Sequence, residues 1–475
     1  MKRAISLVLV WLLACSYPAS ASTLKPGIDY RQLTVKDGRG QDCTVHVVEA
    51  DLNHPWVETR VVMAQDKLGS LEKVEDMAAR SKAQAAINGG FFTQGKKFLP
   101  TDTVMINGRL VTKGNKDPAA FGITWEGQAF VDVFTPKIML TLCRSFRQFE
   151  VEAINHECGM GLILYTSAYG SATGTPASSL EFVVVPDGEN EKRYRVASIH
   201  KGNAPIPEKG YVLSFQGVTS NLAQELKIGD EVSVDTYFPE GRETIRDLLA
   251  CGPLLVKNGI AEKPDLTFLE SKLRSRHPRS ALGVKKGNRL LLVMTEGRQK
   301  ERSQGLTYEE LARLMVQLGV QEAVALDGGD SSSLYWDGTT LVGSGSQRAR
   351  KVADAVVVIS QMPVYIDGRR VYFSTPPAVV NGRAMVPLRE LLEYLGCTVE
   401  WDAAMRTIKA FNGVSELVIA LDKSEVWLNG TLTPMEVLPV VVKGRTLVSL
   451  RVISNFLGAQ VQWDPQRQAV YITTR

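Results

Sequence analysis

The chain has 475 residues, 44% of them apolar and 22% charged, enough apolar material for the cores of two to four domains. Its net charge of +4 is small for that length, and with no long basic run or aromatic-basic module it argues against a nucleic-acid binder. Beyond the N-terminus no segment approaches the ~18 apolar residues that a membrane span needs.

The first residues, "MKRAISLVLVWLLACSYPASASTL", put Lys2 and Arg3 ahead of a short apolar stretch, Ile5 to Ala14, and a small-residue cleavage site at Ala19-Ser20-Ala21. That order predicts a secretory signal over 1–21, cleaved after Ala21, and a secreted or cell-envelope location. "LLAC", ending at Cys15, matches a bacterial lipobox, so a lipid-anchored Cys15 is the alternative. The six cysteines form no C-x-x-C pair, so a thiolate metal site is not expected, and at most a pair such as Cys143–Cys158 is available for a disulfide. Cys251, in the apolar "LLACGPLL", reads as a buried inert thiol.

From residue 30 to 360 short alternating runs dominate, among them "CTVHVVEA", "VETRVVMA", "RLLLVMT" and "QEAVALD", separated by turns such as Asn107-Gly108 and Asp337-Gly338. Two helices are expected. One, "SLEKVEDMAARSKA", starts on Ser70. The other, "TYEELARLMVQLGV", has a capping box at Thr307 and Glu310, one apolar face (Leu311, Leu314, Met315, Leu318) and a stop at Gly319. Residues 150 to 240 read as an additional β section. The fold class is α+β or mixed α/β: a large β-rich part with few helices, then a small α/β unit.

Three blocks in this part carry chemistry. "AAINGGFF" offers Asn88 and Gly89 beside two phenylalanines. "RHPRSALGV", followed by "LLLVMTEGRQ", offers Arg279, Glu296 and Arg298. "ALDGGDSSSLYWDG" ends an apolar strand on Asp327 and continues through Gly328, Gly329, Asp330, Ser331 and Ser332. Small residues there would expose amides and hydroxyls to phosphate or sugar oxygens, and the two arginines could clamp a phosphate. With "CGPLLVKNG" between the first two blocks and the capped helix before Asp-Gly-Gly, this order resembles the phosphodiester glycosidase family over roughly residues 30–360. That family is typified by an enzyme that removes N-acetylglucosamine from a sugar phosphodiester. The resemblance implies a glycoside hydrolase that breaks the C1–O bond of a glycosyl-1-phosphodiester. Its leaving group needs charge neutralisation more than protonation. Arg279 and Arg298 would then hold the phosphate. Asp327 would face the anomeric carbon or activate water, and Glu296 would supply the second carboxylate. Asn88, Gly89 and the Gly328–Ser332 loop would bind substrate.

The sequence departs from the family at Asp330, where glycine is usual, and at Glu296, where aspartate is usual. The extra carboxylate leaves open Ca²⁺ or Mg²⁺ near Asp327 and Asp330, although no metal site is expected overall. It also leaves open a non-catalytic glycan or cell-wall binding protein that keeps the anionic-sugar cradle. The expected partners are a glycan or sugar-phosphodiester substrate and, through 361–475, the cell wall.

That last region repeats. "NGRAMVPLRELLEYLGCTVEWD" (381–402) aligns with "KGRTLVSLRVISNFLGAQVQWD" (443–464) at an offset of 62 residues with ten of 22 positions identical. Each unit reads as strands, a Leu-rich helix and a strand closing on Trp-Asp. The G-R-x-x-V-[PS]-L-R block and the Trp-Asp pair resemble the copper amine oxidase N-terminal-like domain. Residues 361–475 contain no histidine, so a copper site is not implied there.

Overall fold

The structure is a computed structural model. It describes residues 26–474 except 96, 115–117, 157–159, 189–192, 218–222, 224, 264–274, 300–302, 347, 381–382, 422, 424, 436 and 443. The expected signal segment, Cys15 and Cys158 lie outside the described residues.

Strands dominate, as the alternating runs predict. Among the described residues nearly every pairing is antiparallel; the parallel ones are Ala153–Ile154 with Gly161–Tyr165 and Val364–Ile366 with Ala469–Thr473. The large part is therefore an antiparallel β assembly, not the α/β alternative.

Its centre is a seven-stranded sheet in the order Ile28–Lys36, Asp42–Asp51, Arg289–Thr295, Arg279–Lys285, Val320–Ala325, Leu254–Lys257, Ile260–Ala261. The run "RLLLVMT" is apolar throughout because both faces of its strand are covered. Leu290, Leu292 and Met294 join Ile87, Val356 and Val358 of a five-stranded sheet on one side. Leu291 and Val293 join Leu311, Ala312 and Met315 of the helix Tyr308–Gln317 on the other. The five-stranded sheet runs Thr339–Val342, Ser333–Trp336, Ala85–Asn88, Asp354–Ser360, Val57–Met63. Residues Lys137 to Tyr237 supply an eight-stranded sheet with its own core, including Phe182, Phe215 and Leu140.

The helix Tyr308–Gln317 carries the expected capping box: Glu310 N donates to Thr307 Oγ1, and Thr307 N to Glu310 Oε2 at 2.9 Å. Glu310 also accepts from Gly38 N (2.7 Å) and Arg276, tying the helix start to the first hairpin. The earlier helix begins later than expected, at Val74 and not Ser70. Residues before it are drawn into a strand-like bridge, with Glu72 and Val352 exchanging backbone hydrogen bonds, so Ser70 cannot cap.

Beyond Gln361, the strands Ala378–Val380 and Arg383–Pro387, the helix Leu388–Tyr394 and the strands Thr398–Asp402 and Thr407–Phe411 are matched, 62 residues on, by Val440–Val442, Arg445–Ser449, Leu450–Leu457, Gln460–Asp464 and Ala469–Thr473. Leu388, Leu391 and Leu392 share one core with Leu450, Ile453 and Phe456, and Trp56 of the large part packs against it. Glu58, beside Trp56, accepts from Arg60 Nε (2.6 Å), Arg370 Nη1 (2.5 Å) and Tyr372 Oη (2.5 Å).

Candidate functional site

Register brings the predicted residues to one end of the central sheet. Thr295 lies opposite both Val45 and Arg279, and Ala281 lies opposite Ala325. Glu296 and Asp327 therefore leave the same sheet end, two strands apart, roughly 10 Å by strand spacing. Arg279 stands on the strand between them. Asn88 closes the neighbouring sheet against the same loop.

Asn88 is 1% exposed, and its amide is a staple. Nδ2 donates to the Asp327 carbonyl at 2.8 Å, and Oδ1 accepts from Ser280 Oγ at 2.7 Å and from the Ser333 amide at 3.2 Å. Three chain segments are pinned by one side chain. In this arrangement its polar atoms hold protein groups.

The loop amides are spent likewise. Asp327 N donates to Gly89 O, Gly89 N to Asp354 O, Gly90 N to Asp354 Oδ1 (2.8 Å) and Gly329 N to Pro278 O. Buried amides must find acceptors, and here the fold supplies them. Gly89 and Gly329 also allow close approach. A Cβ on Gly89 would overlap Asp354 Oδ1, and one on Gly329, whose φ is +64°, would lie 2.9 Å from Arg298 Nη2. Ser331 and Ser332 are fully buried; Ser331 Oγ accepts from Arg350 Nη1 at 3.1 Å. Asp327 and Gly328 stay half-buried, and Asp330 and Arg298 are exposed.

Three arginines reach this loop. Arg279 is 3% exposed, with its guanidinium 3.8 Å from the Tyr308 ring centre, Nε on Leu306 O and Nη2 on Ser275 O; its Nη1 would lie 3.6 Å from a Cβ on Gly328. Burial, and then the Arg298 charge, push its pKa down against the stabilising Tyr308. Burial pushes the Tyr308 hydroxyl up, and the Asp327 charge adds to the rise. Arg298 has a left-handed backbone (φ +60°), uncommon for a residue other than glycine, and ion-pairs with Asp330 at 2.6 Å. Arg350 holds Ser331 and lies 5.0 Å from the Phe92 ring centre. Asp330 thus has an arginine partner. Among the described residues no group of three or more His, Cys, Asp or Glu side chains is placed to hold a metal ion.

Glu296 is held by a partner the sequence did not single out. Its Oε1 pairs with His46 Nε2 at 2.9 Å, Oε2 accepts from Gln299, and His46 Nδ1 meets Tyr30 Oη at 2.9 Å. His46 is 2% exposed, inside a strand buried on both faces. Cys251 is fully buried, as expected, and burial pushes its thiol far up.

Residues 184–359 match the family model for phosphodiester glycosidase. The matched segment holds Arg279, Glu296, Arg298, the Asp327–Ser332 loop, Arg350 and Asp354; Asn88 and Gly89 precede it. Residues 365–472 match the copper amine oxidase N-terminal domain. An uncharacterized protein of Rickettsia conorii is 26% identical over 253 residues, 51% of this chain and 85% of its own length. An uncharacterized prophage-derived protein of Bacillus subtilis is 29% identical over 128 residues, 27% of this chain and 19% of its own length. A crystal structure of a hypothetical protein from Synechocystis aligns with TM-score 0.62 and 24% identity over 70% of this chain. The match spans 62% of that protein, less than two thirds of its length. A Burkholderia pseudomallei protein described as exported aligns with TM-score 0.57 and 23% identity, over 67% of this chain and 74% of that one. These two likenesses establish the fold alone.

Within the phosphodiester glycosidase segment, two residues at the site escaped the sequence reading. Arg350 is one of three bases in "RARKV". Asp354 opens the apolar run "DAVVVIS" as Asp327 closes "VALD", a mirrored signal that was there to be read. Asp354 is 1% exposed, and its Oδ2 has no hydrogen-bond partner.

Proposed function

We propose that the chain is a secreted hydrolase cleaving the C1–O bond of glycosyl-1-phosphodiesters in envelope or extracellular glycans. One observation carries this: Arg279, Arg298 and Arg350 converge on the loop that begins at half-buried Asp327. A departing phosphate monoester gathers negative charge, and guanidinium groups neutralise it with little protonation required. Asp327 supplies the carboxylate for the oxocarbenium-like carbon or for the attacking water. Glu296, oriented by His46, supplies the second. We assign 30–360 to this unit, with 150–240 as added β structure. We read 361–475 as a duplicated unit of two 62-residue-offset halves that contacts the cell wall. Cleavage after Ala21, or a lipid anchor at Cys15, places it outside the cytoplasm.

Purified protein incubated with sugar-1-phosphodiesters should release reducing sugar, and Asp327→Ala should reduce kcat at least about 100-fold. Equal rates would remove Asp327 from the mechanism. The Arg298–Asp330 ion pair favours a second reading, a glycan binder whose phosphate clamp is already occupied. Tight binding without turnover by the wild type, with turnover gained in Asp330→Gly, would select it.

A further inference from the structure

We propose that Asp354 is a positioning residue whose buried carboxyl group keeps the Asn88–Gly90 turn and, through it, Asp327 in the reactive arrangement. The inference rests on the hydrolase reading for its kinetic consequence and on geometry for its substance. The path is short and made of named bonds. Asp354 Oδ1 accepts from Gly90 N at 2.8 Å, Asp354 O accepts from Gly89 N at 2.9 Å, and Gly89 O accepts from Asp327 N at 3.0 Å. Two glycines carry this path, and both are closely packed: a Cβ at Gly89 would overlap Asp354 Oδ1, and one at Gly90 would lie 3.0 Å from Ala250 O.

The groups around Asp354 favour its neutral form. Gly90 donates to one oxygen, while the other is buried and has no hydrogen-bond partner. From the loop after Val320–Ala325 it meets the Asp327 charge, and from the segment after Ile245–Ala250 the Cys251 thiol, whose own proton is retained by burial and then by the Asp354 charge. Burial first, then Asp327, raise the Asp354 pKa to about 7, against the Gly90 hydrogen bond. Two carboxylates that repel in this way resist joint ionisation. Once Asp354 loses its proton, its charge acts against that of Asp327 across one turn, and the Gly89–Asp327 bond is the link that yields.

The sign follows. An acid whose folded pKa lies above its unfolded value stabilises the fold fully below about pH 4 and loses that contribution as pH rises through about 7. Asp354→Asn keeps the Gly90 acceptor and removes the titration. In the wild type, kcat/KM should fall about tenfold per pH unit above the Asp354 transition. In Asp354→Asn that fall should disappear or move up by at least about one pH unit. Thermal melting should show a wild-type decline between about pH 4 and 7 that Asp354→Asn flattens and Asp327→Asn ends at lower pH, because it removes the charge that raises Asp354. Superimposable pH–rate profiles, or parallel melting curves for all three proteins, overturn the proposal. If no sugar-1-phosphodiester is cleaved by any of them, the hydrolase reading fails, and the melting series still decides whether Asp354 holds its proton.

Discussion

Asn88 makes one amide serve three chain segments that are distant in sequence: its own strand, the Ser280 strand and the loop from Asp327 to Ser333. Replacing it by alanine strands a buried serine hydroxyl, a buried backbone amide and a carbonyl. Each unsatisfied buried group costs ~1–3 kcal/mol. Asn88→Ala should therefore destabilise the protein by about 3 kcal/mol in urea unfolding and lower turnover by shifting Asp327. A loss under about 0.5 kcal/mol would show that the staple is dispensable. Asn88 is conspicuous in the sequence as part of Asn-Gly-Gly, but its protein partners are not. The same holds for Glu296. Its residue type was visible, while His46, 250 positions away, sits in a strand whose alternation reads as plain core.

At the scale of elements, the helix Tyr308–Gln317 was legible because its signals are local: a cap, a carboxylate three residues on, a periodic apolar face and a terminal glycine. Its tertiary use was not. Glu310 caps the helix and also receives Gly38 N and Arg276. Burial raises its pKa, but the amides of Thr307 and Gly38 and the Arg276 charge outweigh that and hold it below the ordinary value. Glu310→Ala should cost about 2–3 kcal/mol, more than the ~1 kcal/mol of a cap alone, because the first hairpin loses its attachment as well. Thr307→Ala, which removes the cap oxygen only, sets the comparison. Equal losses would mean that the hairpin contact contributes nothing. The strands around Asp327 were legible for a related reason: an apolar run ending in a carboxylate has few meanings. Which sheet end it faces depends on antiparallel register, and no local pattern encodes that.

On the scale of the whole molecule, the sequence boundary near Ser360 coincides with a change of core, yet the two parts are joined by more than the chain. Glu58 is held by Arg60, Arg370 and Tyr372, and burial of Glu58 is outweighed by the two arginine charges and the Tyr372 hydrogen bond, so its pKa stays low. Trp56 packs into the C-terminal core. A chain ended after Ser360 should keep the groups that cleave substrate but expose Trp56 and strip Glu58 of two partners. Removing one side of a buried ion pair costs ~3–5 kcal/mol. The shortened protein should accordingly melt well below the full chain, and Glu58→Gln should reproduce part of that loss in the full chain. Unchanged melting on truncation would show that the two parts are thermally independent.

The strand Val364–Ile366, where the chain enters the C-terminal unit, lies parallel to the final strand Ala469–Thr473, in the register Val364 to Val470 and Ile366 to Ile472. Pro363 O, Asp367 N and the Asp367 carboxylate extend the contact at both ends, and Tyr365 stacks on Tyr471 with ring centres 4.9 Å apart. A pull between the large part and the C-terminal strand would act along this pair in opposite directions. Parallel strands loaded that way are sheared, so their hydrogen bonds share the force and break together, where an antiparallel hairpin pulled at its open end unzips one bond at a time. The entry strand and the final strand of the C-terminal unit are thus paired in the geometry that resists such a pull most strongly.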